Sequence, residues 1–129
     1  MKMDAFLVRG LRVEPKTAGD DELFAQILEF ADASTVNALV FDTKIELGNV
    51  VHEIDGYDEP SAIGALQPVY DARARIAQAK EHGLYTITRI VAFQDPYASL
   101  HRNDYALHNS VDGDTWVTWS GLGWMDLTD

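Results

Sequence analysis

The sequence of 129 residues contains no cysteine, so neither a disulfide bond nor a thiolate metal site can form within it. Basic residues are scarce, with 10 Lys and Arg against 21 Asp and Glu, which gives a formal net charge of −11. Phosphate backbones are bound mainly by clustered Lys and Arg, and anionic membranes repel a negative surface. We therefore expect neither nucleic acid nor a membrane as a partner.

Long apolar runs are also missing from the sequence. No stretch approaches the 18 apolar residues of a membrane span, and the run Phe6-Leu7-Val8 is far too short for a signal peptide. We expect the chain as written to be soluble, with no signal peptide or transmembrane segment. A precursor with an export signal on a longer N-terminus is left open as an alternative.

The common cofactor and nucleophile motifs are absent. The sequence has no GxGxxG, no Walker loop, no GxSxG elbow and no HExxH, which removes the dinucleotide, ATP, α/β-hydrolase and zincin readings. The four histidines, His52, His82, His101 and His108, lack a known metal-ligand spacing. The expectation is an absence of cofactors and metals.

What is present is the composition of one globular domain. Hydrophobic residues make up 47% and charged residues 24%. A chain of this length can bury a hydrophobic core without disulfide bonds or a structural metal ion. Residues 1–129 are therefore predicted to form a single domain.

Apolar periodicity predicts alternating strands and helices. The expected elements, in order, are a strand at Phe6-Leu7-Val8, a helix over 20–33, a strand over 37–44, a loop of roughly 15 residues, a helix over 61–82 capped by Gly83, a strand over 84–93, and a β-hairpin around Val111-Asp112-Gly113-Asp114. This order predicts an α/β fold with parallel strands. An eight-stranded barrel takes about 250 residues, so the chain has room for a partial (half) TIM-type β/α barrel that ends on an open strand edge.

Ligands of parallel α/β sheets meet the carboxyl ends of the strands, where the candidate site residues fall. A carboxylate that ends an apolar strand is costly unless it is paired or solvated, so Asp42 is the first candidate, with Lys44 as a possible salt-bridge partner. Arg89 is interpreted either as a substrate clamp or as an internal anchor for Asp42. Asp95 precedes Pro96, and its alternative explanation is that it starts a turn. The alternative explanation for Asp126, near the terminus, is that it is simply an exposed, solvated carboxylate.

The three tryptophans, Trp116, Trp119 and Trp124, invite a sugar-stacking interpretation, because aromatic faces pack against the apolar side of pyranose rings. The competing explanation for each of them is a core or cross-strand packing position.

Four blocks of the sequence, in order and spacing, resemble a bacterial family assigned as glycoside hydrolases and long catalogued as a domain of unknown function. The blocks are Asn37-Ala38-Leu39-Val40-Phe41-Asp42-Thr43-Lys44, Gly83-Leu84-Tyr85, Arg89-Ile90-Val91-Ala92-Phe93-Gln94-Asp95-Pro96, and Gly121-Leu122-Gly123-Trp124-Met125-Asp126. The resemblance spans roughly residues 17 to 127. It implies a TIM-barrel fold related to the α-amylase-like sugar hydrolases.

The resemblance also implies roles for single residues. Asp42 and Lys44 match an Asp-x-Lys after the second barrel strand, and Trp124 and Asp126 match a Trp-x-Asp. Arg89 and Asp95 match positions at the third strand. Gly123 stands where the family more often has alanine, a difference taken here as minor.

Later strands of the family would lie beyond Asp129, and in related hydrolases the catalytic carboxylates come from the fourth and fifth strands. By analogy the chain holds substrate-contact residues and lacks the catalytic pair, with Asp42 as the remaining catalytic candidate. Three hypotheses follow: the N-terminal half of a hydrolase barrel acting on a polysaccharide, a non-catalytic sugar-binding or assembly module completed by oligomerisation, and a truncated product. The expected partners are carbohydrate and either further copies or the missing C-terminal half.

Overall fold

The computed structural model describes residues 7–126 and residue 128. In the described residues the elements are β1 (Gly10–Val13), α1 (Pro15–Gly19), α2 (Asp21–Asp32), β2 (Ala38–Lys44), α3 (Glu59–Ala62), α4 (Ala72–Glu81), β3 (Tyr85–Ile90), α5 (Pro96–His101) and a 3-10 turn (Asn103–Tyr105). The chain divides into two compact units. Of the described residues, the first unit comprises 7–43, 51–53 and 68–89, and the second comprises 44–50, 54–67, 90–126 and 128.

A three-stranded parallel sheet in the order β1-β2-β3 organises the first unit. The register of β1 on β2 pairs Gly10 with Ala38 and Val13 with Phe41. Strands β2 and β3 are joined at their start by the Tyr85 N–H, which donates to the Asn37 carbonyl at 2.9 Å. The predicted α/β class with parallel strands is confirmed.

The core of the first unit lies between β2 and helix α2. Asp20 caps α2 by accepting from the backbone N–H groups of Glu22 and Leu23, and the helix buries Phe24, Leu28 and Ala31 at helical spacing. The Phe41 ring lies 6.1 Å from the ring of Phe24 and 6.3 Å from that of Tyr70. The predictions of a helix over 20–33 and a strand over 37–44 are confirmed to within a residue or two.

The first strand lies later in the chain than predicted. Phe6 is outside the described residues, while Leu7 and Val8 are exposed and belong to no strand. The strand forms instead at Gly10–Val13, because that register buries Val13 against β2. A short apolar run was the wrong signal here, since only one residue of β1 is buried.

The prediction of one long helix over 61–82 is wrong. The structure has the short α3, then an extended segment, then α4. Gly64 has a φ of 73°, and Pro68 has no N–H to donate and restricts the residue before it. In the second unit the Gln67 N–H donates to the Val50 carbonyl, and in the first unit the Val69 N–H donates to the Val51 carbonyl. These hydrogen bonds satisfy an extended backbone, and a new helix begins only where Asp71 caps it.

Helix α4 buries one of its two arginines. Arg73 is exposed, whereas Arg75 is buried. Its Nε donates to the Ala18 carbonyl at 2.6 Å and its guanidinium lies 4.9 Å from the centroid of the Phe24 ring. Burial of Arg75 is therefore compensated by a hydrogen bond and a cation–π contact.

The second unit contains turns and single bridges where a C-terminal β-hairpin was predicted. Antiparallel bridges join His108 to Thr115 and Val117 to Gly123, but no continuous strand forms in the described residues of this region. The Asn109 N–H donates to the Asp114 carbonyl at 2.8 Å, and the Asn109 side chain accepts from the Val111 N–H. Side chains that bond their neighbouring backbone compete with a strand ladder, which explains the interruption.

Strand β3 is shorter than the predicted 84–93 and lies at the edge of the sheet. Large apolar side chains on it, Tyr85 and Ile90, are more than half exposed. A parallel strand is ordinarily covered on both faces, so β3 presents an incompletely covered edge. No helix in the described part of the chain is long and apolar enough to cross a bilayer.

Candidate functional site

Asp42 lies near the carboxyl end of β2 and is fully buried. Its carboxylate accepts two hydrogen bonds at 3.2 Å from Nε of Arg12 and one at 2.6 Å from Nη2 of Arg12. Nη1 of Arg89 donates to Oδ1 of Asp42 at 3.2 Å. Three adjacent strands thus bring one carboxylate and two guanidiniums together in what we call the Arg12–Asp42–Arg89 cluster.

An internal anchor for Asp42 was one of the two interpretations of Arg89, and Arg89 does contact Asp42. Arg12 was missed. In the β1–β2 register Arg12 pairs with Val40, and side chains two residues apart on a strand share a face, so Arg12 lies on the same face as Asp42. Which face Arg12 occupies can be inferred only when the β1–β2 register is known. The four residues of β1 are too few for their sequence pattern to give that register.

In this cluster the two guanidinium groups, and not the carboxylate, are accessible to a ligand. The Asp42 side chain has no exposed surface, whereas those of Arg12 and Arg89 are 45% and 31% exposed. A buried charge must be paired and hydrogen-bonded, and the bidentate contact with Arg12 meets that requirement. Charged, planar donors at strand ends are suited to hydroxyl or carboxylate groups of a ligand.

Tyr70 is hydrogen-bonded to the backbone of the same strand, β2. Its hydroxyl donates to the Asp42 backbone carbonyl at 2.6 Å, and its ring is buried. Burial, and secondarily the negative charge of Asp42, raises the pKa of the Tyr70 hydroxyl well above its ordinary value.

Tyr70 is expected to make the fold sensitive to alkali. In the unfolded chain its hydroxyl ionises near pH 10, whereas in the folded chain the raised pKa keeps it protonated. Stability contributed by Tyr70 is therefore complete below about pH 10 and falls as the pH rises above it. Urea midpoints measured between about pH 8 and about pH 11 should decline less for Tyr70→Phe, which also loses about 1 kcal/mol at neutral pH with its hydrogen bond. Identical alkaline declines in the two proteins would contradict this assignment.

A hydroxyl–imidazole chain occupies the region next to Asp42. Thr43 Oγ1 lies 2.8 Å from Thr88 Oγ1 and 2.9 Å from Nε2 of His52, whose Nδ1 lies 2.8 Å from the Glu53 carbonyl. With the proton on Nδ1, His52 donates to the Glu53 carbonyl and accepts from Thr43. The sequence showed no metal-ligand spacing for His52, and its contact with Thr43, nine residues away on β2, was not predicted.

Lys44 and Asp95 form a second polar cluster, in the second unit. Nζ of Lys44 lies 3.2 Å from Oδ2 of Asp95 and donates to the carbonyls of Val91 and Gln94 at 2.7 and 3.2 Å. The suggested pairing of Lys44 with Asp42 is wrong. Three acceptors surround the ammonium group, which therefore ties the chain after β3 to the end of β2.

Asp95 also performs the turn role offered as its alternative explanation. Its Oδ1 accepts from the Ala98 N–H at 2.8 Å and caps α5, and Pro96 occupies the first helical position. Two residues earlier, Phe93 has a φ of 73°, and the Gln94 N–H donates to the Ala92 carbonyl at 2.9 Å. A bulky residue in the left-handed region of a γ-turn costs on the order of 1–3 kcal/mol, so neighbouring contacts must hold this turn.

Trp124 and Asp126 lie on the last described segment of the second unit. Among the described residues the indole Nε1 of Trp124 is buried without a hydrogen-bond partner, and the Trp124 backbone carbonyl accepts from the Leu107 N–H. Oδ1 of Asp126 accepts from the N–H and hydroxyl of Thr128 at 2.9 and 2.7 Å. Both predicted residues are partly buried and held by neighbouring backbone.

Gly123 is not the minor difference that the sequence comparison implied. A Cβ at this position would lie 2.8 Å from Cβ of Ser99 and closer still to its Oγ. Ser99 is buried on α5, so glycine here is required by close packing. Within residues 7–126 and 128, no three His, Asp or Glu side chains come together as a potential metal site.

Comparisons with known proteins bear on the fold and the family of this chain. The crystal structure of a hypothetical protein from Ruminiclostridium thermocellum ATCC 27405 resembles 90% of this chain, with a TM-score of 0.82 and 28% sequence identity. This chain spans 60% of the length of that protein. No curated protein matches the sequence. A family model described as "Putative glycosyl hydrolase domain" matches residues 10–129. The chain belongs to the family that carries this description.

Proposed function

We propose that this chain forms the N-terminal half of a TIM-type β/α barrel and that the whole protein hydrolyses O-glycosidic bonds of a polysaccharide. The observation that carries the proposal is the Arg12–Asp42–Arg89 cluster near the carboxyl ends of three parallel strands, in a chain of the glycosyl hydrolase family. Ligands of parallel α/β folds bind at that end of the sheet. The open edge of β3 is where further strands of a barrel would continue.

The polar residues have separate roles in this proposal. Arg12 and Arg89 contact hydroxyl or carboxylate groups of the substrate, and Asp42 positions both of them. In the second unit, Lys44 and Asp95 hold the chain that follows β3 and contribute polar atoms to substrate binding. Trp124 and Asp126 are proposed as further contacts with the sugar.

The catalytic pair is proposed to lie outside this chain. Glycoside hydrolysis generally needs two carboxylates about 5–5.5 Å apart for retention or about 6.5–9.5 Å apart for inversion. Asp42 is enclosed by two guanidiniums, and Asp95 is engaged by Lys44 and by the N-terminus of α5. Neither carboxylate is presented as a nucleophile or a proton donor, so Asp42 acts through the arginines.

The 129-residue protein is therefore expected to show no glycan hydrolysis above the buffer rate. The measurement is release of reducing ends from a panel of neutral and acidic polysaccharides, with Asp42→Asn as the companion variant. Strong hydrolysis that disappears in Asp42→Asn would place a catalytic carboxylate in this chain and overturn the assignment of roles. Reading the DNA downstream of codon 129 identifies any continuation, and a longer product that carries it is expected to hydrolyse one member of the panel.

A second candidate is a non-catalytic sugar-binding or assembly module completed by other chains. The exposed edge of β3, with Tyr85 and Ile90 uncovered, favours it. Size-exclusion chromatography with light scattering separates the candidates. A well-folded protein that stays strictly monomeric counts against assembly through this edge.

A further inference from the structure

Trp119 is the most exposed large apolar side chain of the described residues. Its relative exposure is 101%, whereas Trp116 is partly covered and Nε1 of Trp124 is buried. An aromatic ring of this size loses hydrophobic stabilisation when it stands wholly in water. The Trp119 indole is therefore an apolar surface outside the hydrophobic core.

A tight turn held by hydrogen bonds carries Trp119. The Gly121 N–H donates to the Thr118 carbonyl and the Thr118 N–H donates to the Leu122 carbonyl, both at 2.9 Å. Thr118 Oγ1 accepts from the Leu122 N–H at 3.1 Å and lies 2.9 Å from Ser120 Oγ. Gly121 supplies the positive φ of 80° that the turn requires. Four hydrogen bonds over five residues fix the backbone before any ligand arrives, which lowers the entropic cost of binding.

The base of this turn is anchored in the second unit. The bridge between Val117 and Gly123 closes the turn, and the Gly123 carbonyl accepts from the Asp95 N–H at 3.0 Å. Gly123 also packs directly on the buried Ser99. The Trp119 turn is therefore continuous with the segment that carries Asp95, one of the residues proposed to bind substrate.

The chemistry of the turn restricts its ligand. Residues 115–123 contain two tryptophans, three hydroxyl side chains and no ionisable side chain, in a protein of net charge −11. A surface with no basic group does not select phosphates or carboxylates, and the overall charge repels them. An aromatic face beside hydroxyl groups fits a ligand with an apolar C–H face and hydroxyl edges. The pyranose ring of a neutral glycan has that form.

We infer that Trp119 is a stacking platform for a pyranose ring of a neutral glycan. The ligand class rests on the proposed function, whereas the platform rests on the exposure and rigidity of the turn. The sugar ring stacks on the indole face, and Thr118 and Ser120 supply hydroxyl groups on the same turn.

The test is a titration of the 129-residue protein with neutral oligosaccharides, followed by the indole N–H signals in proton–nitrogen NMR spectra. The probes are cello-, xylo-, malto-, laminari- and chito-oligosaccharides of about six units, with oligogalacturonate as the acidic comparison. One neutral series is expected to shift the Trp119 signal, and the Trp124 signal reports separately on the sugar contact proposed for that residue. Oligogalacturonate should shift Trp119 less at the same concentration.

Matched variants give the magnitude. Trp119→Ala is expected to weaken binding roughly three- to tenfold, as for loss of an aromatic contact, while Trp119→Phe keeps part of the affinity. Leu100→Ala removes an exposed apolar side chain without a ring, and should leave the affinity unchanged. Because Trp119 is wholly exposed, these variants are expected to fold as the parent does.

The outcomes separate this inference from the proposed hydrolysis. Glycan binding through Trp119 without hydrolysis in any longer product supports the platform and overturns the hydrolase. Hydrolysis by a longer product whose KM is unchanged by Trp119→Ala overturns the platform alone. A dimer that dissociates in Trp119→Ala, with no response to any glycan, also overturns the inference and assigns the face to a second copy.

Discussion

Replacement of Gly123 by alanine is expected to lower the free energy of unfolding by about 3 kcal/mol, at the upper end of the usual cost of overpacking. The added methyl group would lie 2.8 Å from Cβ of Ser99, nearer still to its Oγ, and 3.9 Å from Cα of Pro96. Ser99 is almost completely buried, so a shift of its side chain would disturb the residues packed around it. The φ of Gly123 is not in the positive range, so the loss is steric and not conformational. Urea denaturation measures it.

Two further variants identify the cause of that loss. Gly10→Ala places its methyl group at 3.4 Å from Cγ2 of Val40, an ordinary contact, and should change stability by less than about 1 kcal/mol. Ser99→Gly removes the side chain that the methyl group added at position 123 would strike. In a double-mutant cycle, Ser99→Gly should recover much of the stability lost in Gly123→Ala. An additive double mutant, or an unchanged midpoint for Gly123→Ala, would show that α5 can move aside.

Asp42→Asn is expected to destabilise the protein by about 3 kcal/mol, because it leaves two guanidiniums beside a neutral buried amide. The amide also carries donors toward Nε and Nη2 of Arg12, so one polar contact turns from attractive to repulsive. Partial exposure of Arg12 and Arg89 lets water solvate them, which keeps the loss at the lower end of the range for buried pairs. Chemical denaturation near neutral pH tests this.

Asp21→Asn is the matched control. Asp21 lies 2.5 Å from Nη2 of Arg75, at least as close as Asp42 lies to Arg12, yet its side chain is 94% exposed. If burial and not distance sets the cost, this variant should lose no more than about 1 kcal/mol. Comparable losses in Asp21→Asn and Asp42→Asn would mean that the Arg12–Asp42–Arg89 cluster is an ordinary surface ion pair.

The elements that could be predicted from the sequence are those whose pattern is local and long. Helix α2 repeats its apolar residues at helical spacing behind an Asp20 cap, and β2 is a continuous apolar run. The helix over 61–82 failed because hydrogen bonds from Gln67 and Val69 to a distant segment satisfy an extended backbone. The periodicity of residues 61–82 carries no information about hydrogen bonds to residues far away in the sequence.

The site shows the same division. The contact between Asp42 and Arg89 was one of two interpretations of an arginine inside an apolar strand, and only the structure decides between them. Arg12 depends on the register of a four-residue strand. The partner of Lys44 depends on how the chain turns after Phe93, whose left-handed backbone gives no sign in the residue type.

The common direction of the three strands limits how copies of this chain could assemble. A two-fold axis that pairs β3 with the same strand of another copy makes the two strands antiparallel, so it cannot extend a parallel sheet. Head-to-tail contact, from β3 of one copy to β1 of the next, preserves the direction but adds strands in threes. Because each copy contributes three strands, copies of this sheet could close a ring of six or nine strands but not one of eight. An eight-stranded barrel that contains this sheet must therefore take its other five strands from a different amino-acid sequence.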